Sequence, residues 1–68
     1  MKKLIIFESI HYTIKADRLL KNKAIEHQIV PTPREITPDC GMSIEIDLEQ
    51  FDEINEILLE NGFKFDVY

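Results

Sequence analysis

Cys40 is the single cysteine of the chain, and it sits in a connection, PTPREITPDCGM (residues 31–42), that also holds all three prolines, one of two glycines and one of two arginines. A thiol becomes a nucleophile when a nearby cation or a helix N-terminus stabilises its thiolate. Arg34 is a permanent cation in the same connection, and His11 becomes one when protonated. Gly41 leaves the backbone beside the sulfur open to another molecule. Pro33 and the prolines around it stiffen the loop and lower the cost of ordering it. Asp39 acts in the opposite sense, because a neighbouring carboxylate favours the neutral thiol unless its own charge is paired. The residue types thus describe a reactive thiol, set against the commoner state of a free cysteine as a small buried hydrophobe.

Other chemistries are disfavoured by count. One cysteine forms no internal disulfide and falls short of a structural zinc set. Glu49, Asp52, Glu53 and Glu56 read as the wet face of a helix, and no metal or cofactor is expected. The net charge of −5 disfavours nucleic acid, which needs clustered lysine and arginine. No apolar run approaches the ~20 residues that span a bilayer. The apolar run of MKKLIIFES stops at Phe7 and is followed by Glu8, unlike a signal peptide. These features describe a cytoplasmic protein with no membrane partner. Sixty-eight residues form one domain, 1–68, whose core buries only ~60% of the unfolded surface. Association with a partner or a second copy is the natural support for so small a core.

The elements that must position these residues can be read from periodicity. Residues 3–8 are an apolar, β-prone run and form a central strand. Ser9 caps a helix over 10–23, with Ile10, Ile14, Ala16, Leu19 and Leu20 inward and Lys15, Asp17, Arg18 and Lys21 wet. Residues 26–32 make a weaker strand, carrying His27, and Pro31 confines it to an edge. Met42, Ile44, Ile46 and Leu48 alternate with Ser43, Glu45 and Asp47, which predicts a strand with one buried face. A second helix over 49–61 turns Phe51, Ile54, Ile57 and Leu58 inward and stops at Asn61-Gly62. Residues 63–68 form the last strand.

The order βαββαβ predicts an α+β, ferredoxin-like fold with two helices on one face of a four-stranded antiparallel sheet, ordered 4-1-3-2. In that topology the end of the first strand, the end of the second and the start of the third share one rim. Ser9, His11, Arg34 and Cys40-Gly41 therefore gather there, with Asn61-Gly62 arriving from the second helix.

These residues also resemble a known family, the small bacterial selenium/sulfur carrier protein-like domains. Ser9-Ile10-His11 resembles the family's Ser-Thr-His entry to its first helix. Residues 16–21, Ala-Asp-Arg-Leu-Leu-Lys, resemble its Ala-Glu-Lys-x-Leu-Lys segment. Pro31-Thr32-Pro33-Arg34-Glu35-Ile36 followed by Cys40-Gly41-Met42 resembles its Pro-x-Pro-Arg-x-Ile-Ser-Ser-x-Cys-Gly stretch, with Thr37-Pro38-Asp39 in place of the serine-rich approach. The resemblance implies that Cys40 carries sulfur or selenium as a persulfide or selenosulfide, and that a donor and an acceptor protein exchange it.

Two functions are compatible with these readings. In the first, the protein is a thiol carrier rather than a stand-alone enzyme. Cys40 holds the chalcogen, Arg34, His11 and the helix N-terminus stabilise the anion, and Ser9, Pro33 and Gly41 meet the partner. In the second, it is a non-catalytic interaction module or homodimer that binds through the open sheet face, with an incidental cysteine.

Overall fold

A computed structural model describes residues 1–38 and 40–68. The elements run β1 (Lys2–Phe7), α1 (Ile10–Asn22), β2 (Gln28–Pro31), β3 (Met42–Asp47), a 3-10 turn (Leu48–Gln50), α2 (Phe51–Glu60) and β4 (Phe65–Val67). The sheet order is β2-β3-β1-β4, with every neighbouring pair antiparallel. This is the ferredoxin-like α+β arrangement expected from the element order, with the proline-bearing β2 at one edge.

β1 is central because both of its faces find cover. Ile5 pairs with Ile44 and Phe7 with Phe65. Ile5 and Phe7 enter the core with Ala16, Leu20, Ile44, Ile46, Ile54 and Leu58. Ile6 faces the other way, since successive strand side chains alternate, and it too is buried. The connection over residues 32–41 supplies part of that cover, because Thr37 and Cys40 border the same hollow as Ile6.

Helix α1 sits in a different phase from the one its apolar residues suggest. Ile10 and Ile14, expected inside, are 54% and 43% exposed, whereas Thr13, Ala16, Asp17 and Leu20 are buried. Two polar side chains can turn inward because each finds partners. The Thr13 hydroxyl faces the carbonyls of Ser9 and Met42, and Asp17 is engaged by His27 and Lys21. An inward hydroxyl or carboxylate is tolerated once its hydrogen bonds are met.

β3 departs from simple alternation in the same way. Ile44 and Ile46 are buried as expected, but Ser43 on the opposite face is buried as well, paired with the Thr32 hydroxyl. Leu48 lies beyond the strand in the 3-10 turn and is exposed. Helix α2 keeps its expected face, with Ile54 and Leu58 buried and Phe51 and Ile57 packed on the core. Its stop at Gly62 uses a left-handed backbone (φ +77°) that glycine adopts without strain.

Candidate functional site

Two clamps close the connection between β2 and β3 at its base. The Thr32 amide donates to the Gly41 carbonyl at 3.0 Å, and the Thr32 and Ser43 hydroxyls hydrogen-bond to each other. Within the connection the Pro33 carbonyl accepts from the Ile36 amide (3.0 Å) and the Thr37 amide (3.4 Å), which makes a tight turn over residues 34–36. Cys40 is therefore held at the foot of a closed loop. Asp39, weighed above for its charge, lies outside the described residues.

The Cys40 thiol is nearly sealed from solvent, at 3% exposure. Its Sγ donates to the Met42 carbonyl at 3.0 Å and lies 3.9 Å from the Thr13 Oγ1. Thr13 is in the first turn of α1, and its single hydroxyl hydrogen faces the Ser9 carbonyl at 3.2 Å and the Met42 carbonyl at 3.3 Å. One short relay thus joins the start of α1, the start of β3 and the sulfur. Moving the sulfur toward a reaction partner requires it to leave the Met42 carbonyl.

The residues anticipated at this rim divide into two groups. Ser9 and Cys40 are linked through Thr13, with Gly41 beside them. Ser9 stands at the N-cap of α1, although its side chain makes no capping bond and its carbonyl does the work. A Cβ at Gly41 would meet nothing within 4 Å, so the backbone there is open to an approaching molecule. His11 and Arg34 are exposed, and neither side chain makes a hydrogen bond or ion pair among the described residues. His11 packs edge-on against Tyr12, with ring centroids 5.3 Å apart. Pro33 is half-buried in the turn.

Thr13 is the site residue that sequence reasoning missed. The signal lay in its spacing, since Thr13, Ala16 and Leu20 fall on one helical row. A threonine on an apolar row points to a hydroxyl with an inward partner.

Cys40 also lines a cavity of about 360 Å³ at the rim, together with Ile6, Phe7, Glu8, Thr37, Lys64, Phe65, Asp66 and Tyr68. A second hollow of about 170 Å³ is walled by Glu8, Tyr12, Gly62 and Lys64. Glu8 and Lys64 border both hollows. This follows from register, because Phe7 pairs with Phe65 and so places Glu8 beside Lys64 at the end of the β1–β4 ladder.

With this geometry in view, the comparison with known families is decisive. The family model described as "Putative Se/S carrier protein-like" matches residues 2–68. The chain belongs to that family. No curated protein and no solved structure matched it. Membership in the Se/S carrier-like family covers every element described above, including the Cys40 connection. Among the described residues, no helix is long and apolar enough to cross a membrane, and no cluster of three or more histidine, cysteine or acidic side chains could hold a metal ion.

Proposed function

We propose that the protein carries sulfur or selenium on Cys40, as a persulfide or selenosulfide taken from a donor protein or molecule and handed to an acceptor. The observation that supports this reading most is the double situation of Cys40. It is 3% exposed, yet the residue lines the rim cavity. A carried persulfide needs both properties, because its terminal sulfur reacts with any thiol it meets. Shelter preserves the cargo, and the cavity gives it an exit.

In this reading the first turn of α1 stabilises negative charge on the sulfur. The exposed cations Arg34 and His11 act when donor or acceptor is docked, and Ser9, Pro33 and Gly41 form the contact surface around the opening. After each transfer Cys40 returns as a free thiol, so the protein is a shuttle and not an independent catalyst.

The test is intact-mass analysis after exposure to a persulfide donor. We expect a gain of one sulfur atom, reversed by a thiol acceptor and absent in Cys40→Ser. An equal gain in Cys40→Ser overturns the proposal.

A further inference from the structure

The two hollows at the rim are bordered by side chains of opposite charge. Glu8 and Lys64 border both hollows and Asp66 borders the larger. Among the described residues none of the three side chains takes part in a hydrogen bond or ion pair. All three residues are exposed, so a charged ligand can reach them. The larger cavity, about 360 Å³, falls at the small end of the ~300–1,000 Å³ range of small-molecule sites. It therefore suits a compact ligand with one group of each sign rather than a protein loop. Cys40 lines it together with a cation and two carboxylates.

We propose that this cleft binds a free amino-acid thiol carrying a transferable sulfur or selenium atom, of the cysteine persulfide class. The ligand's carboxylate is taken by Lys64 and its ammonium group by Glu8 and Asp66, and its chalcogen lies toward Cys40. The proposal rests on the carrier reading and names its substrate. In the transfer, the Cys40 sulfur attacks the terminal sulfur of R–S–SH. A new S–S bond forms on Cys40, the donor's S–S bond breaks, and its electron pair leaves on the donor sulfur. That sulfur takes up the proton given up by Cys40, so Cys40–SH and R–S–SH become Cys40–S–SH and R–SH, with no external oxidant or reductant.

Two measurements test the inference, and the first needs no thiol chemistry. Cys40→Ser protein is titrated with S-methylcysteine, and with the same compound blocked at its amine and carboxylate. The free amino acid should give saturable amide shifts at Glu8, Lys64 and Asp66, and the blocked compound none. Lys64→Gln should weaken that binding about tenfold, the cost of one charge-assisted hydrogen bond. Absent shifts, or equal shifts with both compounds, overturn the cleft proposal and leave the carrier reading standing. Second, sulfur loading of the unaltered protein is timed with cysteine persulfide and with inorganic hydrogen polysulfide. Lys64→Gln should slow the first about tenfold and spare the second. Equal slowing of both overturns the proposal. Binding without loading from either donor overturns the transfer step together with the carrier reading.

Discussion

Nε2 of His27 lies 2.6 Å from Oδ1 of Asp17, and Nδ1 of the same ring lies 2.8 Å from the Ile25 carbonyl. Both ring nitrogens therefore face an oxygen. Lys21 holds the other Asp17 oxygen at 3.2 Å. The His27 side chain is only 4% exposed, so this pair ties the last turns of α1 to the approach to β2. We expect His27→Ala to lower unfolding free energy by about 2 kcal/mol, because it strands a sheltered carboxylate. Lys21→Ala should cost far less, since its ammonium group is solvated. Urea unfolding of both variants checks the contrast, and equal losses would remove His27 from this role.

The same pair sets an acid limit. Burial by itself would raise the Asp17 carboxyl, but hydrogen bonds from His27 and Lys21 outweigh it and hold the group below its ordinary 3.8. The unfolded carboxyl therefore takes a proton at a higher pH than the folded one. Its contribution to stability is complete above 3.8 and is lost as pH falls through the lower, folded value. Stability measured from pH 6 down to about 2 should fall more steeply in the unaltered protein than in Asp17→Asn. Parallel curves would contradict the assignment.

Thr13 should matter to the sulfur as well as to the fold. Thr13→Val keeps the shape and removes the hydroxyl that serves the Ser9 and Met42 carbonyls, at an expected cost of about 1 kcal/mol. Native Cys40, sealed at 3% exposure, should react with a bulky thiol reagent at least about tenfold more slowly than the unfolded chain. Loss of the relay in Thr13→Val should raise the native rate. A native rate matching the unfolded one, in either protein, would show that the thiol is not sheltered.

Ala24 follows α1 with φ +57°, a left-handed backbone that costs residues with a Cβ about 1–2 kcal/mol. Glycine relieves that strain and gives part of it back as unfolded-state entropy. We expect Ala24→Gly to gain about 0.5–1 kcal/mol, and Gly62→Ala, at φ +77°, to lose about as much. Thermal unfolding of the two variants reads both signs.

The periodicity of β1, β3 and α2 was legible because their apolar residues are buried by geometry alone. Helix α1 was misread because hydrophobicity was its only visible guide, and two of its inward positions, Thr13 and Asp17, are polar residues with partners distant in sequence. Ser43 hides for the same reason, its partner Thr32 lying across the sheet. The exposed phase of α1 can be checked directly. Ile10→Gln and Ile14→Gln should each change stability by no more than about 0.5 kcal/mol, as at ordinary surface sites. A loss of several kcal/mol at either would restore the phase expected from sequence. The rim was legible in outline because topology alone brings Ser9 and Cys40 together. Glu8 and Lys64 escaped notice because only the pairing of Phe7 with Phe65 sets them side by side.

The clasp formed by Thr32 with Gly41 and Ser43 separates two kinds of constraint. Strand pairing depends on residues at and beyond the clasp, whereas Arg34 and Glu35 lie exposed in the turn outside it. Lengthening a closed loop costs little, about 0.6 kcal/mol for each doubling. The segment around Arg34 is thus an exchangeable cassette. Descendants of this chain can rewrite which partner they greet at Arg34 and Glu35 while the sulfur keeps its seat, and a designer can graft new recognition residues into that turn without touching the sheet.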